Sequence, residues 1–544
     1  MAGKIVLMGS DAQDGIIEGV IKASNAIART LGPSGKAVVI ASNFGAPEIT
    51  RDGATVAKSI EFSDKLLDQG AQLVRKAASL TEEEAGDGTS SSSILTRELC
   101  IKGQRALKTG ANANEIKSGM LKAQRWMTNY ISSKSIQIDG DLDKIRKVAT
   151  ISANNDPEVG DLIVQCMEKV GMDGIITSDM ASGLDTVIDV TTGMKLERGW
   201  SSPQYVTSPE DGKCIMDDAY ILVVGEKLSS VSQILPIMKP LVETGRPFLI
   251  IVDDIDEVVN TTLVINTLKG AIRCCVVKGI DFGDGRKNTM QDIATAVGAT
   301  FICPENGIDI TEATLENLGA AKKVVVSRDN TIIYEGCGDP KLIGERVEIL
   351  KKRIADPNIS NYDKTKFEKR IANLCGGIGI IKAGGATEVE KQNRKATIED
   401  AILASKSAIS EGCVPGGGYI YYKGSLDAYK DSAFWKSLVG DEKEGADIVF
   451  SSLSVILRTV VENSGKCGDV VLNDLKKTKK ENWGYNAKTK KYCYLVDDGI
   501  LDSSKVLRVA LENSVSTASM ILLTDCIIYD EPVENDGNNT LASM

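Results

Sequence analysis

The stretch Gly86-Asp87-Gly88-Thr89-Ser90-Ser91-Ser92-Ser93 constrains this chain most, because it sets one carboxylate between two glycines and follows it with five consecutive hydroxyls. Before it, Leu66, Leu67, Val74, Ala77, Ala78 and Leu80 recur at helical spacing. After it, Ile94, Leu95, Leu99, Ile101 and Leu107 mark a second helix. A glycine turn that opens a helix leaves backbone N–H groups unpaired, and these bind anions with help from the helix dipole. Glycine lets a phosphate approach the backbone closely, and Asp87 suits a hard cation such as Mg2+. The plainer reading is a capped turn between two helices, since Asp, Ser and Thr are ordinary caps. The turn alone does not decide between the two.

Composition narrows the chemistry. With 544 residues the chain is too long for one core, and length suggests roughly three or four domains. It contains no histidine, which excludes Ser-His-Asp and Cys-His catalysis and every His-based metal site. Chemistry must then run on carboxylates, lysines, hydroxyls and a borrowed metal. The 12 cysteines form no CxxC pair, so neither a redox motif nor a zinc knuckle is suggested. A net charge of −11 argues against a nucleic-acid partner. The Lys-rich run from Lys476 to Lys491 reads as a solvated loop. Met1 to Asp14 lacks the pattern of a signal peptide, and no stretch approaches the ~20 apolar residues of a membrane span. The expectation is a cytoplasmic protein with no membrane partner.

Along the chain, Ile16, Ile17, Val20, Ile21, Ala26 and Ile27 predict a helix that ends in the turn Thr30-Leu31-Gly32-Pro33-Ser34-Gly35. Short strands follow at Ala37 to Ala41 and Glu48 to Arg51. From about 192 to 377 the texture is α/β. Buried strands are predicted at Ile221 to Gly225, Phe248 to Val252 and Val276 to Gly279, with amphipathic helices at 230–244 and 256–269. Residues 342 to 371 read as a long charged helical pair, and the chain is helical again from 411. Helix-rich ends thus flank mixed segments, which flank an α/β centre. The economical order is nested, with the centre an insertion whose two connections cross one hinge. Gly193, and Gly376 with Gly377, sit at those crossings, where a hinge needs free backbone torsions.

Many short motifs then fall in one collinear order. They are Thr30-Leu31-Gly32-Pro33, Arg51-Asp52-Gly53, Gly86-Asp87-Gly88-Thr89, Ile151-Ser152-Ala153-Asn154, Asp281-Phe282-Gly283-Asp284 and Ala386-Thr387-Glu388. Glu399-Asp400-Ala401, Gly416-Gly417-Gly418, Tyr485-Asn486-Ala487 and Gly499-Ile500-Leu501-Asp502 continue them. From about Asp11 to Asp530 the chain resembles the group I chaperonins of the GroEL type. The resemblance implies an α/β multidomain chaperonin fold. A mainly α equatorial ATPase domain would comprise 1–134 and 411–530, and a small α+β intermediate hinge domain 135–191 and 378–410. An α/β apical domain would comprise 192–377, followed by a flexible tail at 531–544. It implies homo-oligomeric, heptameric rings that bind non-native client polypeptides and fold them with ATP and Mg2+, with K+ as a further cation.

Carried over by motif, the resemblance assigns Leu31, Gly32 and Pro33 to the nucleotide and Gly88, Thr89, Ser90 and Ser91 to its phosphates, with Asp87 on Mg2+. Gly417 and Asp502 would hold the ribose, and Asn486 and Ala487 the adenine. Thr30, Arg51, Ile151, Val460 and Ile500 complete the ATP-binding set. Asp52 and Asp400 would orient and activate the attacking water. Asp400 lies in the hinge segment, so hydrolysis would wait for hinge closure. Without the resemblance, Asp52 reads as a turn residue and Asp400 as a helix-start charge. Trp200, Tyr205, Leu235, Met238, Val264 and Ile265 would face the cavity mouth and hold clients.

Departures from the family pattern carry expectations of their own. Gln204 and Asn260 stand where the family has apolar residues, which predicts weakened client and co-chaperonin binding, with an amide inside the apolar groove. Cys467 replaces an acidic residue that would face Arg458 across two rings, and the C-terminal Gly-Gly-Met repeats are missing. Single versus double rings are thereby left open, and a divergent, bacteriophage-encoded chaperonin acting in the cytosol of an infected host fits the pattern. Two rivals stand beside the folding chamber. One is a small-molecule kinase, for which no GxxxxGK[ST] loop is present. The other is a holdase or scaffold ring with little ATP turnover.

Overall fold

The computed structural model describes residues 4–41, 47–138, 140–171, 174–208, 212–279, 284–354, 366–367, 370–371, 373–374 and 377–530. Gly376, the Asp281-Phe282-Gly283 part of its motif and the tail at 531–544 lie outside the described residues. The chain folds into two compact units. The first comprises residues up to 164, 178–187 and those from 382 onward; the second comprises 165–177 and 188–381. Residues 135–164, 178–187 and 382–410, which the sequence assigns to a hinge segment, lie in the first unit.

The first unit is built on long helices, chiefly Gly9–Ile27, Lys65–Ala85, Thr89–Lys108, Ala113–Lys134, Glu388–Glu411 and Ser504–Leu523. Their apolar stripes interlock through Val20, Val74, Leu95, Met120 and Leu511, with Phe450 of the helix Glu442–Ser452 packed among them, all fully buried. Ser504–Leu523 is long and apolar enough to cross a membrane by composition, which the sequence reading overlooked. Most of it is buried in this unit, as a core helix should be. Helices Gly9–Ile27 and Lys65–Ala85 approach backbone to backbone. A Cβ on Gly19 would stand 2.0 Å from the Leu67 carbonyl oxygen, and one on Gly70 2.1 Å from that of Ile16. Short two-stranded ribbons complete the unit, among them Val38–Ile40 with Glu48–Thr50 and Lys4–Met8 with Cys526–Asp530. The second of these ribbons was not legible in the sequence.

The second unit contributes most of an eight-stranded mixed sheet. Its order is Ile175–Met180, Gly377–Ala383, Val187–Leu196, Thr331–Gly336, Gly319–Val326, Cys214–Leu228, Phe248–Ile255, Cys274–Lys278. The last three strands run parallel and carry unbroken apolar runs such as Phe248-Leu249-Ile250-Ile251-Val252, because both their faces are covered. Helices Val231–Thr244 and Glu257–Leu268 follow Cys214–Leu228 and Phe248–Ile255 as the parallel connections require.

Of the expected hinge glycines, Gly193 and Gly377 fall in described residues. Gly193 lies inside the strand Val187–Leu196 opposite Tyr334, and its Cβ would strike Ile378 and the Ile333 carbonyl. Gly377 opens the strand Gly377–Ala383, where a Cβ would make only ordinary contact with Val170 and Val190. At Gly193 the strand needs glycine for space.

The close crossing yields a first prediction. Gly19→Ala should destabilise the protein by roughly 1–3 kcal/mol or more, because a methyl group meets backbone that cannot step aside. Chemical denaturation measures this; an unchanged midpoint would mean the two helices do not touch there.

Candidate functional site

One cavity in the first unit gathers the chain's chemistry. Its space, open mouth included, is about 1410 Å3. Every residue assigned above to ATP, to Mg2+ and to the attacking water lines this cavity, from Thr30 to Asp502. Asp400 is already among them in this conformation, beside Asp52 and Asp87.

The anion-binding end is set by glycine. Gly88, at φ +91°, precedes the helix Thr89–Lys108, and no side chain caps that helix start. Ser92 and Ser93 turn inward and donate to the Thr89 carbonyl at 3.0 and 2.8 Å, so their hydroxyls serve the helix. Ser90 faces Thr30, hydroxyl to hydroxyl at 3.2 Å, while a Cβ on Gly53 would stand 2.0 Å from the Ser90 hydroxyl. Uncapped N–H groups with hydroxyls around them are the kind of site that binds anions. Gly86, at φ +77°, ends the preceding helix where a Cβ would fall 2.1 Å from that of Leu403. Ser407 donates to the Ala85 carbonyl at 2.7 Å. Both contacts fasten Glu388–Glu411, the helix that carries Asp400.

Four carboxylates face this space. Asp52 caps the helix Gly53–Ser59, accepting from the Ala54 and Thr55 N–H groups at 3.0 and 2.7 Å and from the Thr55 hydroxyl at 2.6 Å. The bland expectation for Asp52, a turn and cap residue, is therefore also true of it. Burial raises the pKa of Asp87, helped by the charge of Asp52 and opposed by hydrogen bonds from Ser152 and the Gly88 N–H. Burial lifts Asp400 well above the carboxylate range, and Asp87, Asp52, Glu82 and Glu399 add to that. Asp502 is pushed up to about 6 by burial and by Asp87, against N–H donors from Gly417 and Gly418. Negative charges that raise one another call for a cation. Among the described residues no three His, Cys, Asp or Glu side chains cluster tightly enough to hold a metal alone. Mg2+ characteristically binds one or two carboxylates and completes its shell with phosphate oxygens and water, so the donor set fits it.

At the other end, Gly417 (φ +64°) donates its N–H to Asp502 at 2.9 Å. The Asn486 amide is largely committed to its own turn. It donates to Asp498 at 2.7 Å and accepts from the Lys488 and Thr489 N–H groups. Asn463 reaches in from another helix and donates to the Ala28 and Leu31 carbonyls at 2.9 and 2.8 Å, which fixes the turn carrying Gly32. Sequence reasoning missed Asn463, and it missed Ser152, Asn154, Asn155 and Tyr485 as lining residues. The pair Asn154-Asn155 did carry a signal, since adjacent asparagines tolerate left-handed backbone, and both adopt it, at φ 54° and 64°.

The model of the TCP-1/cpn60 chaperonin family matches residues 23–532. The chain belongs to that family. Among solved structures it is similar to the chaperonin gp146 from the bacteriophage EL 2 (Pseudomonas aeruginosa), crystallised in the presence of ATP-BeFx. The two share 21% identity with a TM-score of 0.71, over 97% of this chain and 100% of that one. The likeness establishes the chaperonin fold for this protein.

In the chaperonin's second unit the residues expected to hold clients divide. Leu235 and Ile265 are 44% and 45% exposed, on separate helices. Met238 and Trp200 are half-buried against the core. Tyr205 and Val264 are corrections, being 1% and 9% exposed, because their side chains fill that core. Val242, Val258 and Leu268 are exposed on the same two helices. Asn260 does not present a bare amide to a groove. Its Oδ1 accepts from the Ser201 and Tyr205 hydroxyls at 2.8 and 3.0 Å, tying its helix to the 201–205 segment. In the first unit, Arg458 pairs with Asp469 of its own chain at 2.6 Å, and Cys467 is exposed.

Two outcomes follow from these contacts. Asn260→Leu strands the Ser201 hydroxyl and leaves the buried Tyr205 hydroxyl only the long bond to the residue-260 carbonyl, and should lower stability by about 1–3 kcal/mol; a thermal melt equal to the parent's would contradict the tie. For Asp502, a folded-state pKa above the ordinary 3.8 means stability is lost as pH rises through about 6. In EDTA without nucleotide, Asp502→Asn should therefore be more stable than the parent by about 1–3 kcal/mol near about pH 7.5, with the gain vanishing by about pH 4. Denaturant titrations across pH measure it, and a pH-independent difference would dismiss the electrostatic cause.

Proposed function

We propose that this chaperonin is an ATP-driven folding chamber: a cytoplasmic, homo-oligomeric ring whose equatorial cavity hydrolyses ATP and whose apical helices bind non-native chains. The observation that carries the reading is the convergence, in one cavity, of an uncapped helix start with Asp52, Asp87 and Asp400. Such a site suits a nucleotide triphosphate and a hard cation, which is what phosphoryl transfer needs. Mg2+ held at Asp87 would neutralise phosphate charge. The Thr89 end of its helix would seat the phosphates, and Gly417 with Asp502 the ribose. Asp400 and Asp52 would orient water for attack. With no histidine in the chain, a carboxylate is the side chain suited to that task. Exposed Leu235, Val242, Val258, Ile265 and Leu268 supply apolar surface for clients on the second unit. The three-domain division by sequence, with 135–191 and 378–410 as hinge, gives the coupling its route. A heptameric ring follows from the family pattern.

Asp400→Ala should leave Mg2+–ATP binding nearly intact and slow hydrolysis by ~10²–10⁴-fold, as expected for a lost positioning group. Steady-state phosphate release with parallel calorimetry tests this, and a parental rate would remove Asp400 from the reaction. Negative-stain imaging with and without ATP should show rings that change shape. Rings that bind unfolded chains yet release no phosphate would shift the reading to a holdase, and a monomer would end the chamber model.

A further inference from the structure

We propose that Ser152 is the positioning residue that holds the Asp87 carboxylate in its metal-binding orientation, so that the turn after helix Leu142–Ser152 sets how tightly Mg2+ joins the nucleotide. This rests on the reading of the cavity as a Mg2+–ATP site. The Ser152 hydroxyl donates to Asp87 Oδ2 at 2.7 Å, while the Gly88 N–H donates to Oδ1. Each carboxylate oxygen thus has one donor and retains a lone pair. The two donors come from different parts of the chain, one local and one 65 residues away, so together they fix the plane of the carboxylate. The charged group that acts on Asp87 is the negative Asp52, which supplies no competing hold.

Ser152 is itself held. It is the last residue of its helix, and the backbone then turns through Asn154 and Asn155, both left-handed. Among the described residues these are the only two adjacent non-glycine residues with positive φ. The Asn155 N–H bonds back to the Thr150 carbonyl at 2.9 Å, and Lys488 donates to the Asn155 carbonyl at 3.0 Å. The turn is thereby pinned at its far end by the segment that follows Asn486, at the opposite end of the same cavity. Mg2+ requires near-octahedral geometry and tolerates misplaced ligands poorly. Outer partners of a ligating carboxylate typically govern metal affinity by 10–100-fold. A serine that only terminated its helix would affect folding alone and leave metal coupling untouched.

The test is calorimetric titration of the full-length protein with ATP, once in EDTA and once in excess Mg2+. In the parent, Mg2+ should tighten ATP binding. Ser152→Ala should cut that Mg2+-dependent gain by roughly 10–100-fold and leave affinity in EDTA unchanged. Ser152→Thr, which keeps the hydroxyl, should restore the gain. Asp87→Asn should lose it too, and Asp87→Asn combined with Ser152→Ala should lose no more than Asp87→Asn alone. Should Ser152→Ala fail to fold, Ser152→Cys, a weak donor of similar size, should show the same loss. A full Mg2+ gain in Ser152→Ala, an equal loss in EDTA, or additive losses in the double variant would each overturn the proposal while leaving the ATP site standing. A parent that binds no ATP under either condition would overturn both readings.

Discussion

Repulsion among four carboxylates around one cavity is the constraint on which the rest of the first unit depends. Asp52, Asp87, Asp400 and Asp502 come from four distant parts of the chain, and no salt bridge to any of them is present among the described residues. Burial and mutual charge push three of them above the ordinary range. Such an arrangement is unfavourable by itself and becomes favourable when a cation and a polyphosphate enter together. The protein stabilises the set by fixed donors. Helix-start N–H groups hold Asp52, Gly417 holds Asp502, and Ser152 with Gly88 holds Asp87. Those donors serve the ionised form of each group, which is the form a cation binds.

That electrostatic arrangement needs tight packing to support it, and small residues make it possible. Gly19 and Gly70 let two helices meet at backbone distance, while Gly86 admits Leu403 of the helix that carries Asp400. At each point the limit is a carbonyl oxygen or a packed Cβ, neither of which can move aside. Side-chain hydrogen bonds from Ser407 and Asn463 then lock the helix of Asp400 and the turn of Gly32 to the cavity wall. Displacing either segment would expose buried polar groups, so the cavity's shape is tied to the stability of the whole unit.

The second unit solves a different problem. Its three parallel strands are buried on both faces, and two of its helices keep apolar side chains on the outside as well as the inside. Leu235 and Ile265 stand out in solvent while Ile234, Leu263 and Val264 of the same helices fill the core. Neighbouring helix positions point in different directions, and a change of one residue moves a side chain from surface to core. That explains why Val264 and Ile265, adjacent and equally apolar, have different fates.

The sequence by itself determined the family, the nested order of helical and α/β segments, and the residues that meet in the cavity. It could do so because tight turns and uncapped helix starts need glycine and hydroxyls at fixed offsets, and such local patterns are written in the chain. Strands such as Phe248–Ile255 were legible because burial on both faces demands an unbroken apolar run. Only the tertiary structure decided which residues hold the chemical groups in place. Ser152, Asn463 and Asn260 are ordinary polar residues whose partners lie 65, 432 and 59 residues away. The pairing of Lys4–Met8 with Cys526–Asp530 joins the two ends of the described chain in the same way. Gly193 is needed for space against Ile378, and spacing along a chain does not reveal what packs against it. Local backbone demands are written in order along a sequence, whereas long-range contacts are fixed only when the chain closes on itself.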